Sequence, residues 1–232
     1  MPRADITRTI TVAAPPEVVF EAVTTGSAGW LWPVDVEPRV GGAAGPGVVT
    51  VWDPPSRWAN RMEQGDWWNE LEHVIDELDG ATRLRYRHSS VFADDGQLDG
   101  AETHTDFYLH TLAEYVAWFP GRPATWISAE APATSREPGS FDRVVEALGL
   151  TAGHEVGDAL VIDLPGVGAV MSGIDWRSGS FLGLRTADAL YRVFGRERWG
   201  GGVAVTVHHF ADDVDAAAVA AAWEQRLREV FA

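Results

Sequence analysis

Apolar and polar residues alternate at the start of the chain. In ITRTITV, residues 6–12, the even-numbered side chains from Ile6 to Val12 fall on one side and the threonines on the other, a period of two that predicts a β-strand. Pro16 then suits the first turn of a helix, and apolar residues follow at helical spacing until Gly26. The pattern predicts a strand followed by a short amphipathic helix.

A stiff corner interrupts the next extended segment. GVVTVWD, residues 47–53, runs into two consecutive prolines, which have no backbone N–H donors and therefore end the strand at Asp53. Trp52 and Trp58 flank this corner. The corner fixes the directions in which these two side chains can point, which matters if they line a cavity.

Two further strands are predicted at residues 67–78 and 82–91, joined by an Asp-Gly turn. The second alternates strongly, because Leu84, Tyr86 and His88 share one face while three arginines share the other. The arginine face is interpreted as a solvated surface paired with acidic neighbours.

The middle of the chain contains a polar loop, an amphipathic helix and a proline-rich stretch. These are predicted at residues 93–103, 104–119 and 121–139, the last as a linker between two domains. Beyond it, helices are predicted at 140–150, 187–195 and 213–231, and strands at 158–164, 167–175, 178–184 and 202–210.

Composition restricts the partners. The formal net charge is −16, which repels phosphate backbones and anionic lipid headgroups, so neither nucleic acid nor a membrane is expected as a partner. No cysteine is present, which excludes thiolate chemistry. We find no signal-peptide pattern and expect a soluble, cytoplasmic protein. The chain contains 11 tryptophans, more than a minimal core requires, so some are available to line a pocket.

Five segments together resemble a known family. APPEVVFEAVT, WPVDVEPRVGG, WDPPSRW, ELDGATRLRYRH and HTDFYLHTLAEYV occur in an order and at intervals similar to the heat-shock ATPase-activator-homologue-like branch of the START-like (SRPBCC) superfamily. The resemblance covers residues 6 to about 120. It implies an α+β helix-grip fold, in which a curved antiparallel sheet wraps a long carboxyl-terminal helix and leaves a hydrophobic cavity.

The resemblance also implies what the cavity does. We expect domain 1–120 to bind a small hydrophobic or aromatic molecule between sheet and helix. The residues expected to line this site are Trp30, Trp32, Trp52, Tyr86, His88, Phe107 and Trp118.

Two other functions stay open. Other branches of the superfamily imply a cyclase or hydrolase of polyketide-like substrates, with His88 or Tyr86 exchanging a proton. A Tyr or His that lies deep in a continuous cavity with only a ligand to bond would favour such chemistry. The family name also suggests a stress-related protein that binds a chaperone. No metal site or cofactor is expected, because no histidine pair has ligand spacing and no glycine-rich loop has a nucleotide-binding pattern.

The second half, residues 140–232, departs from the simplest family members. It is predicted to be a smaller α+β unit packed on the first, a truncated second helix-grip repeat with Trp223 as the anchor of its last helix. This additional half leaves the oligomeric state open, and a homodimer is among the states considered.

Overall fold

The computed structural model describes residues 3–232, which form two compact units. Unit 1 extends to Pro123, and unit 2 begins at Ala124. In order along the chain, unit 1 contains β1 (Arg3–Val12), α1 (Pro16–Val23), a 3₁₀ turn (Ser27–Gly29), β2 (Ala43–Ala44), β3 (Gly47–Asp53), β4 (Arg57–Gln64), β5 (Trp67–Leu78), β6 (Ala81–Val91) and α2 (Asp95–Trp118).

The six strands of unit 1 form one antiparallel sheet in the order β1-β6-β5-β4-β3-β2. The first strand thus pairs with the last, and α2 follows directly from β6. The sheet and the long helix enclose a cavity, so unit 1 has the predicted helix-grip arrangement. As predicted, β3 ends at Asp53, immediately before the two prolines.

The sheet register brings the site residues of different strands into rows. Trp58 of β4 lies opposite His73 of β5, which lies opposite Tyr86 of β6. In the next row, Leu71 of β5 lies opposite His88 of β6. Because opposite residues of an antiparallel pair point to the same side of a sheet, all of these side chains share the face that α2 covers.

Helix α2 is longer than its sequence pattern predicts. It begins at Asp95, so most of the predicted loop at 93–103 is helical. The Asp94 side chain accepts a hydrogen bond from the Gln97 N–H at 2.8 Å, and the Gln97 side chain in turn accepts from Ala93 N–H. These reciprocal bonds satisfy the free donors of the first turn and allow a segment with two glycines to begin a helix.

Unit 2 has the same strand order as unit 1. Its elements are β7 (Thr125–Glu130), a 3₁₀ turn (Ala133–Arg136), α3 (Ser140–Ala147), β8 (Ala159–Leu164), β9 (Gly168–Arg177), β10 (Phe181–Arg185), β11 (Ala189–Phe194), a second 3₁₀ turn (Glu197–Trp199), β12 (Ala204–His209) and α4 (Ala216–Val230). The sheet order is β7-β12-β11-β10-β9-β8, again with the first strand beside the last. The sheet therefore repeats all six strands, several of them shorter than in unit 1, and the final helix is also shorter, with 15 residues against 24.

Two predictions for unit 2 are wrong in secondary structure. The stretch 121–139, predicted to be a linker, contains β7, which pairs with β12 along its whole length. The predicted helix at 187–195 contains β11, whose six residues are all buried. A strand that is buried on both faces has no polar alternation, and its apolar run cannot be distinguished from a buried helix by periodicity.

The interior of unit 2 is filled by side chains from its helix. Trp223 of α4 is 1% exposed, and its ring centroid lies 6.1 Å from that of Tyr191 on β11. Val219 and Leu227 flank it on the same buried stripe of α4. As predicted, Trp223 is the large anchor of this helix, and it occupies the region between helix and sheet.

Candidate ligand-binding site

A cavity of about 320 Å³ lies between the sheet and α2 of unit 1. This volume is at the lower end of the range of about 300–1,000 Å³ typical of small-molecule sites. Every lining residue belongs to unit 1. They are Val23, Thr24, Ser27, Trp30, Leu31, Trp32, Val34, Val36, Ala44, Pro46, Gly47, Trp58, Asn60, Arg61, Met62, Asn69, Leu71, His73, Tyr86, His88, Ala101, His104, Thr105, Tyr108 and Leu109.

The floor of the cavity is the face of β4, β5 and β6 described above. Its most enclosed residue is His73, which is 2% exposed and stacks on Trp58 with the ring planes 10° apart. The Tyr86 ring meets the other side of His73 edge-on, at a centroid distance of 5.2 Å. Neither ring nitrogen of His73 has a hydrogen-bond partner in the protein. Burial lowers the pKa of His73 to about 3, so the ring is neutral at physiological pH.

His88 is held by the neighbouring strand. Its Nε2 atom hydrogen-bonds with the side-chain oxygen of Asn69 on β5. An amide oxygen only accepts, so Nε2 carries the hydrogen and Nδ1 is the acceptor in the neutral ring. Burial lowers the pKa of His88 to about 4, and this ring is also neutral near pH 7.

Tyr86 connects the floor to the helix above it. Its hydroxyl hydrogen-bonds with the Thr105 side chain of α2, and burial raises the tyrosine pKa above its usual value. The phenol is therefore neutral as well. Beside this contact, Arg8 of β1 and Asp106 of α2 form an ion pair at 2.5 Å, which fixes the helix against the sheet edge.

The side wall is the aromatic segment after α1. The Trp30 indole N–H donates to the Ala22 carbonyl at 2.8 Å, which sets the orientation of this buried ring. Gly29 precedes it because a Cβ there would lie 2.6 Å from the Tyr115 ring of α2. Trp32, by contrast, is 49% exposed and meets Tyr108 edge-on, which places it at the mouth of the cavity.

Four of the seven residues expected at the site line the cavity, namely Trp30, Trp32, Tyr86 and His88. Trp52 does not line it, because its ring packs edge-on against Phe20 of α1 at 5.2 Å. Phe107 is fully buried in the core without bordering the cavity. Trp118 is 55% exposed, and it lies nine residues after the lining residue Leu109, about 180° around the helix.

Sequence patterns did not single out His73, Asn69 or His104 as site residues, and all three line the cavity. A signal for the first two was present, because Asn69, Leu71 and His73 alternate with acidic residues along β5. A period of two puts Asn69, Leu71 and His73 on one face of the strand. The pairing of β5 with β4 and β6 then makes this face part of the cavity floor.

The arginine stripe lies on the opposite face of the same sheet. Arg83 and Arg85 both contact Asp76, and Arg87 contacts Glu72 at 2.7 Å. Hydrogen bonds and ion pairs with Arg57 and Arg87 lower the pKa of the Glu72 carboxyl despite its partial burial. The interpretation of this face as a paired, solvated surface is confirmed, and its charges do not enter the cavity.

In residues 3–232, no group of three or more histidine, aspartate or glutamate side chains is arranged to hold a metal ion. In the same residues, no helix is both long and apolar enough to cross a bilayer.

Comparisons with known proteins find similar structures but no related sequence family. A scan against protein-family models and a search of curated proteins both give no match. The Aha1 dimer from Colwellia psychrerythraea is 20% identical with a TM-score of 0.43, and the alignment covers 48% of this chain and 95% of that one. CalU16 from Micromonospora echinospora is 20% identical with a TM-score of 0.41, covering 50% and 85%.

DynU16, a protein of the dynemicin biosynthetic locus, aligns over both units. It is 17% identical with a TM-score of 0.45, and the alignment covers 98% of this chain and 95% of that one. The chain is thus similar to an Aha1 protein over about half its length and to DynU16 over nearly all of it.

Proposed function

We propose that unit 1 binds a small, largely apolar or aromatic molecule inside its cavity. The observation that carries this proposal is an enclosed space lined by tryptophan, leucine, valine and methionine side chains, with a few fixed polar groups. Such a composition is typical of small-molecule sites, where apolar walls supply affinity and polar groups fix orientation.

The electrostatics of the cavity favour a neutral ligand. His73, His88 and Tyr86 are all uncharged near pH 7, because burial shifts each pKa toward its neutral form. Arg61 also borders the cavity, but Glu63 and Glu70 pair with its guanidinium. A charged ligand would lose its hydration without gaining an unpaired opposite charge.

The test is calorimetric titration of the full chain with naphthalene and 2-naphthol as apolar two-ring probes. Ala101 of α2 borders the cavity, and Ala101→Leu fills part of it. We expect this substitution to weaken probe binding by roughly tenfold or more, equivalent to about 1.4 kcal/mol. Ala117→Leu, at an exposed position of the same helix, is the matched control and should leave affinity unchanged. Absence of binding by the unsubstituted protein, or equal effects of both substitutions, would refute the proposal.

Proton transfer on a bound polyketide-like substrate is the second candidate. One observation favours it, because His73 lies deep in the cavity without a hydrogen-bond partner in the protein. A pKa of about 3 makes this histidine a weak base at neutral pH, whereas general bases work best with a pKa near the working pH. Cyclase or hydrolase activity would therefore require a substrate that raises the pKa of His73. Chaperone binding rests on the sequence resemblance alone.

A further inference from the structure

Two neighbouring polar groups in the cavity have no partner within the protein. They are the indole N–H of Trp58 and the imidazole of His73, which lie opposite each other on β4 and β5. Both side chains are buried, at 4% and 2% exposure, and both line the cavity. The other polar rings of the floor are paired, since His88 bonds with Asn69 and Tyr86 with Thr105.

Unpaired polar groups in a protein interior are unfavourable and uncommon. A buried donor or acceptor without a partner loses its hydration and gains nothing in return, and in native proteins such groups often have a functional reason. The stacking of His73 on Trp58 holds both rings in place. Because both side chains line the cavity and the protein supplies no partner, a molecule bound in the cavity can supply the hydrogen bonds.

We propose that Trp58 and His73 form a polar subsite that recognises one neutral hydroxyl group on the apolar ligand. This inference rests on the proposed binding function and adds the chemistry of the ligand. The two residues are assigned as binding residues that determine specificity.

The donors and acceptors of the subsite select the hydroxyl. The Trp58 indole only donates, whereas a neutral His73 ring has one N–H and one acceptor nitrogen. A hydroxyl group can accept from an N–H and at the same time donate to the bare imidazole nitrogen. A carboxylate only accepts and would bring an uncompensated charge into the cavity, and an ammonium group only donates and would leave the indole unpaired.

The experiment compares naphthalene with 2-naphthol, two probes that differ by one hydroxyl, by calorimetric titration of the full chain. For the unsubstituted protein we expect the naphthol to bind roughly three- to tenfold more tightly, the gain of about one net hydrogen bond. His73→Phe keeps a flat ring on Trp58 but removes both nitrogens. It should bind naphthalene at least as well and lose the preference for the naphthol. Trp58→Phe should reduce the same preference and tests the subsite independently if His73→Phe fails to fold.

The control is His154→Phe, the same substitution at a histidine of unit 2 that does not line the cavity and whose Nδ1 accepts from the Thr151 N–H. It should keep the preference for the naphthol. If the unsubstituted protein binds both probes equally, or if His73→Phe and Trp58→Phe keep the preference, the subsite is refuted while the binding function stands. If neither probe binds the unsubstituted protein, the binding function itself fails.

Discussion

The imidazole of His73 lies flat against the indole of Trp58, with ring centroids 5.3 Å apart. The two residues occupy opposite positions on adjacent strands, so the sheet register sets this stack. It buries a titratable ring in the floor of the cavity and leaves its two nitrogens unpaired by the protein. The buried ring affects the pH dependence of stability, and the unpaired nitrogens affect which ligand binds.

We expect His73 to make unit 1 less stable in mild acid. The pKa of His73 is about 3 in the folded protein and 6.5 as a free side chain. Below pH 6.5 the imidazole is therefore protonated in the unfolded chain while it stays neutral in the folded chain. The stability present above pH 6.5 is therefore lost as the pH falls from there toward 3. His73→Phe should flatten this dependence by up to one proton, about 1.4 kcal/mol per pH unit.

Urea unfolding at pH values between about 7.5 and 5.5 measures the slope of the unfolding free energy against pH. This pH range lies above the sequence pI of about 4.7. His88, with a pKa of about 4, contributes in the same direction and remains in the variant as a constant background. His154→Phe, in a loop of unit 2, is the matched control. Identical slopes for the unsubstituted protein and His73→Phe would contradict the assignment.

We expect His88→Ala to weaken binding of the naphthol probe more than His154→Ala does. His88 lines the cavity, and its removal also deprives the Asn69 side chain of its partner. His154 contacts Thr151 in unit 2, far along the chain from every lining residue. The expected loss for His88→Ala is roughly three- to tenfold in affinity, and none for the control. Equal titration curves would remove His88 from the site.

Residues 1–123 should retain the binding site as a separate fragment. Every lining residue lies between Val23 and Leu109, and the boundary between the compact units follows Pro123. A cut at residue 135 would instead separate β7 from its partner strand β12. Titration should give the fragment the affinity of the full chain within about twofold. A folded fragment that no longer binds the probes would show that the second unit takes part in the site.

Breaking a buried ion pair should strongly destabilise unit 2. One guanidinium nitrogen of Arg192 lies 2.9 Å from both carboxylate oxygens of Asp175, and the two side chains are 1% and 5% exposed. Asp175→Ala removes this carboxylate from a buried guanidinium and should destabilise the protein by about 3–5 kcal/mol in urea unfolding. Asp163→Ala removes an exposed carboxylate near Arg226 and should cost under about 1 kcal/mol. Similar losses for both variants would contradict this ranking.

In unit 1, the sequence predicts which residues share a face of a strand better than it predicts where a helix begins. Alternation along β6 correctly put Tyr86 and His88 on one face, and the proline corner correctly ended β3. The start of α2 was missed because glycines at 96 and 100 weaken the helical pattern, while the Asp94 and Gln97 cap that begins the helix depends on side-chain geometry. Period and composition predict an element but not where it begins.

Contacts between strands decide the remainder of the site. Trp52 and Trp58 look equivalent on either side of the corner, yet only Trp58 borders the cavity, because α1 places Phe20 against Trp52. His73 becomes a site residue through its partners on β4 and β6. In unit 2, β11 was mistaken for a helix because burial on both faces removes the alternation. Alternation along β5 puts His73 on one face, but local sequence patterns do not determine these contacts between elements.

Nuclear Overhauser effects between bound 2-naphthol and the protein locate the binding site. We expect contacts from the naphthol rings to Trp30, Leu71 and Leu109, which line the cavity on three different segments of unit 1. Contacts confined to residues of unit 2, or to exposed side chains such as Trp118, would contradict a binding site inside unit 1.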